Sequence, residues 1–140
     1  MSSPAIVEGR VFESIDFVIL DDDVLILEIV NWIMRDYDIG VLQFADPCQA
    51  KEYLTEHSPQ LLIIDYFMPD VNGVEFLQQL KAETDLNGTK IYLCTAAMPE
   101  DSERNKINEL GAELLEKRAV CDKSSLLAIV DEHCQQVRSL

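Results

Sequence analysis

"LLIIDYFMPDVNG", Leu61 to Gly73, decides how the rest of this chain is read. Leu61 to Ile64 is a continuous apolar run with β-branched members, and it leads straight into a carboxylate, Asp65. A short run of this kind suits a strand covered on both faces, as in a parallel sheet. Pro69 and the Asn72-Gly73 pair forbid its simple continuation. Asp65 therefore falls at the carboxyl end of a buried strand, the edge where open α/β sheets bind ligands.

The same grammar repeats on either side. Upstream, Phe17 to Leu20 is an apolar run that ends in Asp21, Asp22 and Asp23. Leu25, Ile26, Ile29, Val30, Ile33 and Met34 follow at helical spacing, which predicts one buried stripe, with Trp32 also covering core. Gly40 is a stop, Val41 to Phe44 a second strand, and Asp46-Pro47 a capped helix start whose helix ends near His57 to Pro59. Downstream, Val74 to Thr84 reads as a helix with Phe76, Leu77 and Leu80 inward, and Asn87-Gly88 as a turn. Ile91 to Cys94 is a strand ending at Thr95, and Pro99 to Leu110 a charged helix with few apolar residues. Glu113 to Leu115 is a weak last strand ending near Lys117, and Ser124 to Val137 a last helix with Leu126, Ile129, Val130 and His133 along its inner stripe. Strict strand–helix alternation predicts a parallel sheet with helices on both faces and right-handed crossovers. Met1 to Ile15 shows no clear period, so residues 1–15 are read as an N-terminal extension and 16–140 as one domain, with nothing after Val137 that suggests a second.

Composition narrows the function classes. The 26 acids against 11 bases give a net charge of −15, which argues against nucleic acid or an anionic membrane as partner. Cys48, Cys94, Cys121 and Cys134 show no CxxC spacing and do not cluster with His57 or His133, so a zinc site is disfavoured. Neither a signal peptide nor an apolar run near the ~20 residues of a membrane span is visible. Free thiols in a reducing cytoplasm are the expectation.

Four strands end in polar groups: Asp21 and Asp22, Asp65, Thr95, and Lys117. A parallel sheet gathers these ends on one edge. Carboxylates so crowded repel, and Mg²⁺, which takes carboxylate, water and phosphate oxygens, is the natural resolution. Lys117 and Thr95 would meet an incoming phosphoryl group with a positive charge and a hydrogen-bond donor, and Asp65 is the obvious nucleophile. Each residue alone has a plainer role: Asp23 a helix-start charge, Asp21 and Asp22 an N-terminal dipole pair, Thr95 a strand-end cap, Lys117 a solvated charge. Met68 reads as packing beneath its loop.

"FVILDDD", "LLIIDYFMPDVNG", "IYLCTAA" and "EKR" together resemble the signatures of the response-regulator receiver domain of two-component signalling, over roughly Phe17 to Gln136. The resemblance implies a CheY-like, flavodoxin-like doubly wound (βα)5 fold with strand order 2-1-3-4-5. It implies Asp65 as phosphoacceptor, and Mg²⁺ held by Asp21, Asp22, Asp65 and the backbone carbonyl of Phe67. It implies Thr95 and Lys117 as sensors of the phosphoryl group, and a histidine kinase or histidine phosphotransfer protein as donor. The protein would catalyse only its own phosphorylation and dephosphorylation and would present a switched face to a downstream protein. That face would be the charged helix, the fifth strand and the last helix.

Two positions depart from the pattern. Receivers usually carry Lys-Pro with a cis bond where this chain has Lys117-Arg118, and a trans bond is expected here because a cis bond before a non-proline costs about 2.5–4 kcal/mol. Leu114 stands where the family often has an aromatic switch. These departures leave a phosphate-independent interaction module as the alternative. An aspartyl-nucleophile phosphatase of the haloacid-dehalogenase type is disfavoured, because its acid/base aspartate would fall at Phe67. Phe67 and Ala97 cannot orient a water by hydrogen bonding, so slow self-dephosphorylation is expected.

Overall fold

The computed structural model describes residues 5–7, 10–12 and 15–134. Its elements are β1 (Ala5–Val7), β2 (Arg10–Phe12), β3 (Phe17–Leu20), α1 (Val24–Met34), β4 (Val41–Phe44), α2 (Pro47–Leu54) and β5 (Leu61–Asp65). They continue as α3 (Gly73–Glu83), β6 (Lys90–Thr95), α4 (Asp101–Glu109), β7 (Ala112–Glu116), α5 (Lys117–Val120) and α6 (Lys123–His133). The expected stretch of the last helix beyond Cys134 lies outside the described residues.

Five strands form one sheet in the order β4-β3-β5-β6-β7, and all neighbouring pairs run parallel. This is the order 2-1-3-4-5 of a doubly wound flavodoxin-like fold. β5 sits at the centre, with Phe17 opposite Leu61 on one side and Asp65 opposite Cys94 on the other. All five residues of β5 are buried, which is why its sequence is a continuous apolar run rather than an alternating one.

The two faces of the pleat carry separate cores. Val18, Leu20, Leu62, Ile64 and Leu93 face Ala50 and Leu54 of α2, Phe76, Leu77 and Leu80 of α3, and Ile107 of α4. Phe17, Ile19, Leu61, Ile63 and Tyr92 face Leu27, Val30, Ile33 and Met34 of α1, and Leu126 and Val130 of α6. The side-chain period of two sends alternate residues of each strand to opposite helix layers.

Helix starts follow local capping chemistry. The side chains of Asp23, Asp46 and Asp122 accept from backbone N–H groups of the first turns of α1, α2 and α6. Asn72 and Glu75 form a reciprocal capping box at α3, so the Asn72-Gly73 pair starts a helix rather than merely ending a strand. α4 and the short α5 differ: Glu100 and Glu116 make no side-chain cap bond, and each helix buries a single residue, Ile107 and Val120.

The stripe expected on α1 is corrected. Leu27, Val30, Ile33 and Met34 are its buried residues, whereas Leu25, Ile29 and Trp32 stand exposed on the outer face. Trp32 is 58% exposed and does not cover core. The segment "VLILEIVNWIM" is apolar nearly all round, and the sheet takes the face that leaves Leu25, Ile29 and Trp32 outward.

The Lys117–Arg118 bond is trans, and the chain turns directly into the short helix α5. Within the stretch read as an extension, β1 and β2 pair antiparallel. Among the described residues no helix is long and apolar enough to cross a membrane.

Candidate functional site

β3, β5, β6 and β7 end on one edge, and the polar residues that follow meet there. Asp21 and Asp65 are buried, while Asp22 is exposed at the rim. One carboxylate oxygen from each of Asp21, Asp22 and Asp65 lies within 4.8 Å of the others. Lys117 reaches in from the end of β7, its Nζ 3.3 Å from Asp21 Oδ2 and 3.2 Å from Asp65 Oδ1.

Asp21 is fixed further by the Asp23 backbone N–H, which donates to its Oδ1 at 2.9 Å. Asp23 itself caps α1 by accepting from the Leu25 N–H at 3.0 Å, so it is a helix-start residue, as its plainer reading had it. Asp65 Oδ2 is buried and has no hydrogen-bond partner among the described residues. A buried carboxylate oxygen left so is costly, which points to a group that belongs beside it.

The electrostatics match this crowding. Burial first, and then the Asp21 charge, push the Asp65 carboxyl up to about 7, against the opposing pull of Lys117. Burial also raises Asp21, with the Asp23 amide and Lys117 opposing it. For Lys117, burial works against the ammonium, but the attraction of Asp21 and Asp65 outweighs it and the net direction is up. One ammonium between two buried carboxylates does not relieve the repulsion. The donor set of three carboxylate oxygens fits a hard, oxygen-seeking divalent cation.

Thr95 ends β6 and is buried. Its hydroxyl is turned along its own loop: Oγ1 donates to the Ala97 carbonyl at 2.7 Å and accepts from the Ala97 N–H at 3.2 Å. Thr95 and Lys117 share a cavity of about 370 Å³ with Ala96, Met98, Glu116 and Arg118. A larger recess of about 670 Å³, lined by Lys81 to Thr89, lies at the opposite strand edge, away from the carboxylates.

The loop after Asp65 is held on both sides. The Tyr66 N–H donates to the Cys94 carbonyl and the Gly73 N–H to the Tyr66 carbonyl, both at 2.8 Å. A Cβ on Gly73 would lie 2.7 Å from the Asp65 carbonyl oxygen and 3.1 Å from Tyr66 Cα, so only glycine lets α3 start this close to the acidic strand end. Met68 is buried under the loop, as expected, and Phe67 projects outward with its ring edge-on to Tyr66 at 4.7 Å.

The sequence did not disclose the role of Tyr66. Its hydroxyl donates to Glu103 Oε2 at 2.7 Å, across 37 residues of chain. The available signal was general: a buried tyrosine hydroxyl seeks a partner.

A family model for the response regulator receiver domain matches residues 17–131. The chain belongs to the response-regulator receiver family. It is 33% identical over 85 residues to the response regulator Rre1 of Synechocystis sp., covering 60% of this chain and 37% of that protein. It is 30% identical over 116 residues to a protein-glutamate methylesterase/protein-glutamine glutaminase of Leptospira interrogans, covering 80% of this chain and 33% of that one. This receiver chain thus spans about a third of the length of those relatives. The solved structure of the chemotaxis protein CheY4 of Vibrio cholerae superposes with a TM-score of 0.73 at 20% identity, covering 86% of this chain and 99% of that one.

Proposed function

We propose that this receiver domain, residues 16–140 with residues 1–15 as an extension, is a phosphorylation-controlled signalling switch with Asp65 as its phosphoacceptor. The observation that carries this reading is the state of the Asp65 carboxylate. Oδ1 is paired to Lys117, while Oδ2 is buried and partnerless among the described residues at the carboxyl end of β5, where Asp21 and Asp22 also gather.

In the reaction a carboxylate oxygen of Asp65 attacks phosphorus, the bond from phosphorus to the donor's imidazole nitrogen breaks, and the nitrogen keeps the electron pair. The product is an acyl phosphate. Asp21, Asp22, Asp65 and the backbone carbonyl of Phe67 would hold Mg²⁺, which supplies positive charge for the phosphoryl oxygens when bound. Lys117 is close enough to Asp65 to follow the new phosphoryl oxygens, and Thr95 has one proton to turn toward them.

The donor would be a histidine kinase or histidine phosphotransfer protein in the same cytoplasmic compartment. Exposed Val24 and Leu25 at the start of α1, Phe67 after Asp65, and Met98 by the Thr95 cavity give the charged mouth an apolar rim for a protein surface. Signal would leave through α4, β7 and α6 toward a downstream protein. The chain's own catalysis is confined to its phosphorylation and dephosphorylation.

Incubation with a small phosphodonor and Mg²⁺ should add one phosphate in mass to wild type, and Asp65→Asn should add none. Equal labelling of the variant overturns the assignment. Mg²⁺-dependent beryllofluoride binding separates this reading from a phosphate-independent interaction module, which would bind none.

A further inference from the structure

Among the described helices longer than four residues, α4 is the one that lacks a side-chain N-cap and buries a single residue, Ile107. Against that background one polar tie stands out. Glu103, in its first turn, accepts a 2.7 Å hydrogen bond from the Tyr66 hydroxyl through Oε2, and Oε1 accepts from Lys106 at 3.2 Å. A hydroxyl bound to a carboxylate is stronger than a neutral pair.

Tyr66 is the residue directly after Asp65, and it cannot easily move. The residue is 7% exposed and belongs to the core cluster that also holds Ile107. Its main chain is clamped on the N–H side by Cys94 and on the carbonyl side by Gly73. It is a fixed post beside the acidic centre, with α4 attached through Glu103. Leu114 on β7 offers α4 no polar contact of this kind.

We propose that Tyr66 is a positioning residue: its hydrogen bond to Glu103 holds α4 in the resting arrangement, and occupation of Asp65 must break it. The inference rests on the reading of Asp65 as phosphoacceptor. Thr95 has one hydroxyl proton, now given to the Ala97 carbonyl. A phosphoryl group on Asp65 is a competing acceptor with negative charge. Taking that proton frees the Ala97 carbonyl, and the loop from Ala96 to Glu100 leads directly into α4. A helix drawn by this loop carries Glu103 with it, while the clamped Tyr66 stays behind.

Linkage then fixes the sign. A contact made only in the resting state lowers the affinity for any ligand that favours the other state, by the same factor that the ligand weakens the contact. Deleting the tie therefore tightens binding at Asp65, although Tyr66 touches no bound group.

Beryllofluoride with Mg²⁺ is the probe, its affinity read by titration and α4 by amide hydrogen exchange. Tyr66→Phe keeps the ring and loses only the hydroxyl. It should bind beryllofluoride about three- to tenfold more tightly than wild type, and residues 101–109 should exchange faster before any addition. Glu103→Ala, a change outside the core, should do the same, and the double variant should bind no tighter than either single one. A merely structural tyrosine would lower the melting temperature and leave affinity unchanged or weaker. Unchanged or weaker binding by Tyr66→Phe, or additive gains in the double variant, overturns the tether alone. No binding by wild type removes the phosphoacceptor reading and the tether with it.

Discussion

The Thr95 hydroxyl donates to the Ala97 carbonyl at 2.7 Å and receives the Ala97 N–H in return, so its single proton is committed to the loop and not to Asp65. A buried hydroxyl with one proton can serve one acceptor at a time. Thr95→Ala should therefore cost about 0.5–1.5 kcal/mol of resting stability, as a lost neutral hydrogen bond. Asp65 should still load with beryllofluoride, but the exchange response of residues 96–101 should vanish, and Thr95→Ser should restore it. A full response in Thr95→Ala would remove the hydroxyl from the switch.

Metal binding should be readable as stability. Mg²⁺ at roughly 100 times its dissociation constant stabilises a folded state by about 2.7 kcal/mol. Asp22 is exposed, so Asp22→Ala should change the metal-free melting temperature little while losing most of the Mg²⁺ gain. An unaltered Mg²⁺ gain in the variant takes Asp22 out of the ligand set.

The same gain should depend on pH. Asp65 is pushed up to about 7 by burial and by Asp21, whereas an unfolded aspartate ionises near ~3.9. Between those values the folded state holds the extra proton, so raising the pH through this window costs stability when metal is absent. Mg²⁺ needs the ionised carboxylate and competes with that proton. The Mg²⁺-induced rise in melting temperature should thus grow from about pH 5 to about pH 8 and then level off. In Asp65→Asn that pH dependence should flatten; a slope equal to wild type would place the titration elsewhere.

If Asp65 takes a phosphoryl group as proposed, Phe67 and Ala97 are expected to bear on its lifetime. Neither side chain can orient a water by hydrogen bonding. Phe67 is 63% exposed and leans on Tyr66, so any shielding it gives is at the rim rather than deep in the mouth. Phe67→Asn should shorten the half-life of the acyl phosphate severalfold, followed by loss of the phosphate mass increment. An equal or longer half-life would show that the ring does not limit water.

Much of this architecture was legible because the strands are short apolar runs ending in polar residues, and a parallel sheet must collect such ends on one edge. Asp21, Asp65 and Lys117 meet there for that reason. Strand order came only with the family resemblance. The outward face of α1 was misread because an almost wholly apolar segment gives periodicity nothing to choose between. The helix α5 has four residues, too few for a period to show. Asn72 and Glu75 carried a readable capping signature that the neighbouring turn signals masked. The Tyr66–Glu103 bond joins two loosely patterned segments across the β5–α4 gap, and no local rule reaches that far.

Trp32 is the chain's one tryptophan, and it stands on the outer side of α1 with Leu25 and Ile29, the Arg35 guanidinium 6.0 Å from its ring. That placement gives the molecule a native optical reporter. A protein that lays its surface over α1 strips water from the indole and moves its emission toward the blue. One that lands on α4, across the sheet, leaves the emission where it was. If the donor docks over α1 and the downstream protein on α4, the two encounters would differ in colour in an unlabelled sample.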